Sequence, residues 1–117
     1  MIISRFNELK EFSTSEGIMK PLFVSEELKV IHLKIPAGLK DRPHSHPNPG
    51  NIVLLKGTVK FNAENPVILQ EGDMAHIPAD YIVGLESEAE AEALLISSPS
   101  GYKTIEELHK RLESFKK

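Results

Sequence analysis

Gly38-Leu39-Lys40-Asp41-Arg42-Pro43-His44-Ser45-His46-Pro47-Asn48-Pro49-Gly50 is the stretch whose reading decides the fold, and Gly57 closes it downstream. His44 and His46 stand two residues apart. Side chains alternate along an extended segment, so both imidazoles leave the same face. That spacing lets both reach one divalent metal ion. Glycines and prolines punctuate the stretch on either side and mark it as turn-bounded. A second run, Gly72-Asp73-Met74-Ala75-His76-Ile77-Pro78, lies far downstream, and no internal repeat is evident.

Outward from these runs the apolar pattern has a period near two. It predicts strands over 18–24, 28–35, 52–55, 59–62, 67–69, 74–77, 81–85 and 91–98. In the second of these, Ile31, Leu33 and Ile35 share one face, and Val30, His32 and Lys34 the other. Gly57 bends a hairpin, and Asn65-Pro66 and Glu71-Gly72-Asp73 make further turns. So many short strands with turns between them indicate an all-β barrel or sandwich. No helix of crossover length separates the strands, which disfavours a parallel α/β sheet.

The two ends differ from the middle. Residues 1–17 read as a mixed N-terminal extension, with a short helical turn at Phe6 and Leu9 broken by Ser13-Thr14-Ser15-Glu16-Gly17. Near the C-terminus, Thr104-Ile105-Glu106-Glu107 is a capping box. Ile105, Leu108, Leu112 and Phe115 follow on one helical face, predicting a helix over 104–116 that packs on the barrel. Acidic residues begin it and basic ones end it, as the helix dipole favours. His109 falls on this helix and is expected to be solvated.

The 117 residues make one domain by size, 1–117, with the barrel over 18–98. A net charge of −3 without a basic patch argues against nucleic acid as a partner. The chain has no cysteine, which excludes disulfides and thiolate sites and fits a reducing cytoplasm. No apolar run approaches the roughly 20 residues of a membrane span. Arg5, Glu8 and Lys10 occupy the place of a signal-peptide apolar core, so a cytoplasmic protein is expected.

Over about residues 38–87 the chain resembles a small single-domain cupin. The first cupin motif, G-x5-H-x-H-x3,4-E-x6-G, is met by Gly38, His44, His46 and Gly57, with Gly50 at the glutamate position. The second, G-x5-P-x-G-x2-H-x3-N, is met by Gly72 and Pro78. Asp80 replaces its next glycine, Val83 the histidine and Ser87 the asparagine. The resemblance implies an antiparallel jelly-roll β-barrel with the C-terminal helix appended, and a homodimer. It also implies a metal site of which only His44 and His46 remain. Two imidazoles alone hold zinc, nickel, manganese or iron weakly, because such sites need at least three protein ligands.

Compensating groups come from elsewhere in this reading. His76 joins the pair if its strand turns it inward; the alternative face sends Met74 and His76 out and Ala75 and Ile77 in. Asn51 stands one residue from the glutamate position. Arg42 is a candidate partner for a ligand carboxylate, and His32 a remote candidate ligand. Asp41 and Asp73 are the nearest acids, and Asp73 serves its turn. The expected pocket therefore comprises His44, His46, His76, Arg42 and Asn51. The expected function is binding of a small molecule inside the barrel. The alternative is a metal-dependent isomerase or oxygenase that uses His44, His46 and a compensating ligand such as His76, and a third is a scaffold with a vestigial pocket.

Overall fold

The computed structural model describes residues 1–114. Ten strands form two antiparallel sheets: β1 Phe12–Thr14, β2 Gly17–Val24, β3 Lys29–Ile35, β4 Leu39–His44, β5 Gly50–Lys56, β6 Thr58–Asn62, β7 Val67–Gln70, β8 Met74–Ile77, β9 Val83–Ser87 and β10 Ala91–Ser97. One sheet runs β1-β2-β3-β10-β5-β8 and the other β4-β9-β6-β7. Their inner faces enclose the core, the jelly-roll arrangement that the cupin resemblance implies and a case of the all-β barrel or sandwich that the strand pattern predicts.

Alternation sets which side chains reach that core. In β3, Ile31, Leu33 and Ile35 are almost fully buried, and they meet Leu95, Ala93 and Ala91 of β10 in register. Ile52 and Leu54 continue the layer in β5, and Val59, Phe61, Leu69 and Leu85 supply the opposite wall. The sheet begins earlier than the sequence suggests: Phe12 of β1 is 1% exposed and pairs with Met19. The run 13–17, which reads as a break in periodicity, is a tight β1–β2 connection. Residues 39–44 also form a strand, although proline and charge dilute its pattern.

The helix α1, Ile105–Glu113, starts where the capping box places it. Thr104 Oγ1 accepts from the Glu107 backbone N–H, and Glu107 Oε2 accepts from the Lys103 N–H. Leu108 and Leu112 are buried against β1 and β2. The expected helical contact of Phe115 lies outside the described residues. His109, expected to be solvated, is half-buried and tilts against the Phe12 ring at 5.1 Å. The N-terminal helical turn is a 3-10 turn, Phe6–Glu8. Its Phe6 ring meets His32 edge-on, and Lys20 Nζ lies 3.7 Å from the Phe6 centroid. No helix among the described residues is long and apolar enough to cross a membrane.

His32 lies on the outer face of β3, away from the barrel interior. It is 7% exposed, and its Nε2 is 3.0 Å from Glu92 Oε1. Burial pushes the Glu92 carboxyl up, but the His32 hydrogen bond and Lys56 outweigh it and hold it below the ordinary 4.5. A depressed carboxylate contributes stability that is present above 4.5 and lost as pH falls through the folded value. Glu92→Gln should therefore destabilise the protein at pH 7 by only about 0.5–1 kcal/mol, because the Glu92 side of the pair is open to solvent and screened. The difference from wild type should shrink on acidification. Urea midpoints at pH 7 and pH 3.5 check this, and a gap that stays constant would contradict it.

Candidate metal centre and cavity

The two sheets leave a cavity of about 530 Å3 at one end of the barrel. Its deep wall is apolar, with Ile31, Leu33, Phe61, Leu85 and Leu95. Its mouth carries Glu16, Lys29, Asp41, His44 and His46.

Strand β4 delivers His44 through an irregularity. Its register against β9 shifts between Asp41 and His44, so two residues three apart come to the same side. His44 Nδ1 lies 3.6 Å from Asp41 Oδ2 and donates to the Arg42 carbonyl at 2.8 Å. That bond puts the proton on Nδ1 and leaves Nε2 bare for a ligand, the usual way an outer partner fixes a metal-binding tautomer. The close approach of β9 needs Gly84, since a Cβ there would stand 2.7 Å from the Asp41 carbonyl oxygen.

His46 follows the strand end. Its carbonyl accepts from the Asp80 N–H at 2.7 Å. Asp80 has φ 63, the left-handed conformation expected of the glycine it replaces in the second motif. The two imidazoles converge as the i, i+2 spacing predicts: His44 Nε2 and His46 Nε2 are 3.1 Å apart.

The third group is Glu16, which sequence reasoning missed. It sits in the β1–β2 connection, where Thr14 Oγ1 donates to the Gly17 carbonyl at 2.8 Å and accepts from the Glu16 N–H at 3.2 Å. This brings Glu16 Oε1 to 3.8 Å from His44 Nε2. One ligand atom each from Glu16, His44 and His46 lies within 4.8 Å of the others. The site expected to offer two candidate ligands thus offers three. The usable signal was an acidic residue beside a glycine in a turn between two pairable strands.

The donor set fits a divalent transition metal. Two imidazoles and one carboxylate are the facial-triad ligands of non-haem iron, and imidazole also suits zinc and nickel. Two nitrogens bound at about 2.0–2.1 Å to one ion stand roughly 3 Å apart, which the imidazole pair already satisfies. Burial pushes the His46 pKa down from 6.5, helped by His44 and Lys29 and opposed by Asp41. Burial and then Asp41 push Glu16 up from 4.5, opposed by His44 and Lys29. Burial pushes Lys29 down from 10.5, against the pull of Glu16. Shifted groups gathered in this cavity are the electrostatic pattern of functional sites.

The remaining sequence candidates fall elsewhere. His76 is corrected: Ala75 and Ile77 pack on the core, so alternation sends His76 outward beside exposed Met74. It is no ligand for the histidine pair. Its Nδ1 is 2.8 Å from Asn51 Oδ1. Asn51 borders the cavity, but its amide donates to the Ile96 carbonyl and its oxygen faces His76. Arg42 is also corrected: it is exposed and absent from the cavity wall, and only its carbonyl serves the site. Asp73 does serve its turn, accepting from the Gln70 N–H at 2.9 Å.

The two positions where the cupin pattern would add ligands face this same mouth. Gly50 lines the cavity, and Val83 lines it as the register partner of His44. The motif alignment is therefore physically coherent, with a third ligand arriving from another part of the chain.

No protein-family model matches the chain, and no curated protein matches it. Solved structures do. An RmlC-like cupin from Shewanella frigidimarina superposes with a TM-score of 0.79 at 16% identity, covering 86% of this chain and 93% of that one. KdgF from a Halomonas species gives 0.74 at 20% identity, over 84% and 94%. The polyketide cyclase RemF from Streptomyces resistomycificus gives 0.75 at 13% identity, over 86% and 80%. The chain has the cupin fold.

Proposed function

We propose that this cupin binds a small organic molecule in its barrel cavity, at a divalent transition-metal centre held by Glu16, His44 and His46. The convergence of the two Nε2 atoms and Glu16 Oε1 at the cavity mouth carries this reading. A bound ion would supply Lewis-acid polarisation of a ligand oxygen. The chain's own residues do the rest. The Arg42 carbonyl fixes the His44 tautomer, Thr14 holds the turn that presents Glu16, and the apolar wall receives the body of the ligand. Gly50 and Val83 add no donors, which leaves coordination positions free for the ligand, as an open functional site requires.

A metal-dependent enzyme is the second reading. It is favoured by the acid–base groups Lys29 and Asp41 beside the centre, and a polyketide cyclase shares the fold. We also propose a homodimer, as the cupin resemblance implies, for which light scattering should give twice the chain mass of 13.0 kDa.

Calorimetry with Co2+, Ni2+, Zn2+ and Mn2+ tests the centre. Wild type should bind one ion per chain. Glu16→Gln and His46→Ala should each weaken binding by more than the roughly 10–100-fold typical of losing an outer-shell partner. Equal affinity in wild type and both variants would refute the assignment.

A further inference from the structure

Lys29 is a cavity-mouth cation that the proposed centre does not use. It is half-buried at the start of β3, and its Nζ lies 5.2 Å from the Tyr102 ring centroid. It forms no ion pair within 4.0 Å among the described residues. The sheet register places it in a definite row: Lys29 pairs with Ser97, Ser97 with Gly50, and Gly50 with Ile77. All four line the cavity. Within that row Gly50 contributes no side chain. A Cβ built there meets only Ser97 Oγ, at the ordinary contact distance of 3.6 Å. There is thus space beside the Ser97 hydroxyl, two strands across from Lys29, at the very position where the cupin pattern carries a carboxylate.

We propose that Lys29, with the Ser97 hydroxyl, forms a carboxylate-binding subsite in the space left by Gly50, so that the molecule bound in this cavity is a carboxylic acid with an apolar body and an oxygen placed to reach the Glu16–His44–His46 group. The inference rests on the metal-centre reading for the last of these features and on the Lys29–Ser97–Gly50 row for the carboxylate. Charge bookkeeping supports it. Glu16 and Asp41 bring two negative charges, Lys29 and Arg111, which also lines the cavity, two positive, and a divalent ion two more, with the imidazoles neutral. The loaded cavity is then net positive, and a carboxylate offsets part of that charge. An ammonium makes charge-assisted hydrogen bonds to a carboxylate but offers nothing comparable to a neutral amide in the same place. The cavity volume lies within the roughly 300–1,000 Å3 of small-ligand sites, so the acid is larger than acetate, and Leu33, Phe61, Leu85 and Leu95 receive its hydrocarbon.

The competing assignment is that Lys29 serves only as a counter-charge for Glu16. The two assignments differ in measurable ways. The probes are 2-hydroxyhexanoate, its neutral analogue 2-hydroxyhexanamide, and hexanoate. Each is titrated into Co2+-loaded wild type, Lys29→Met and Lys29→Arg, with folding checked by circular dichroism. Methionine keeps the stem length of lysine without its charge. The acid should bind wild type at least about tenfold tighter than the amide. Lys29→Met should lose that preference while binding the amide as wild type does, and Lys29→Arg should recover part of it. Equal acid affinity in wild type and Lys29→Met would overturn the subsite and leave Lys29 as a counter-charge. A Co2+ titration without organic probe is read first. Should no ion bind, the metal-centre reading fails by itself. The subsite is then decided in the metal-free protein, where hexanoate must outcompete hexanamide in wild type but not in Lys29→Met. Equality there overturns it.

Discussion

Gly17→Ala should unfold the protein or bring it to the edge of unfolding, and should abolish metal binding in whatever remains folded. Gly17 has φ 129, a conformation that side-chain-bearing residues rarely adopt. A Cβ there would stand 2.4 Å from the Lys34 carbonyl oxygen, a backbone atom of the paired strand, so β2 and β3 would have to separate. Backbone strain of this kind costs about 1–3 kcal/mol and overpacking typically another 1–3. The sum is a large part of the roughly 5–15 kcal/mol that holds a domain together. The functional loss has a separate cause. Gly17 follows Glu16 directly, and its carbonyl accepts from Thr14 Oγ1. Moving Gly17 moves the carboxylate away from His44. Urea denaturation followed by metal titration measures both effects. A variant with the wild-type midpoint would mean that the β1–β2 connection has slack the structure does not show.

The second large effect runs the other way. Gly50→Glu combined with Val83→His should raise metal affinity by roughly a hundredfold or more, since two added donors can close the coordination shell. The local structure permits both changes. Gly50 is not in the left-handed region, and its Cβ direction is open apart from Ser97. Val83 is only partly buried and faces the cavity opposite His44. A buried histidine without a partner would be destabilising, but here the ion supplies the partner. The same variant carries an internal cross-check. The added carboxylate would take the space beside Ser97 in the row that Lys29 begins, so 2-hydroxyhexanoate binding should fall as metal affinity climbs. Calorimetry with Mn2+ and Zn2+ reads the gain. No gain in a folded variant would mean that these two positions do not share the centre of His44 and His46.

The barrel was readable from sequence because its cues are local. Alternation at Ile31, Leu33 and Ile35, the Gly57 bend and the Thr104 capping box each act within a few residues. The histidine pair was readable for the same reason, since its geometry follows from neighbours on one strand. Glu16 was not. It lies far from His44 in the chain, and only the pairing of β1 with β2 and the course of β4 bring them together. His76 failed as a candidate because strand periodicity gives two faces but not which one is inside. That choice is made by the packing of Ala75 and Ile77. Lys29 went unremarked for a related reason. A lysine at a strand start reads as solvated until the register with Ser97 and Gly50 is known.

The shortness of β1 has a kinetic consequence. Only Phe12, Ser13 and Thr14 pair with β2, and β1 is the outermost strand of its sheet. Edge elements with so few bonds open far more often than the barrel unfolds as a whole. Each such opening withdraws the Glu16 carboxylate while His44 and His46 stay on β4 and its continuation. Phe12 under α1, and the ion pair of 2.7 Å between Lys10 and Glu113, act as the clasp on that motion. The lifetime of a bound ion would then be set by fraying at one sheet edge, and the terminal helix would act as its timer.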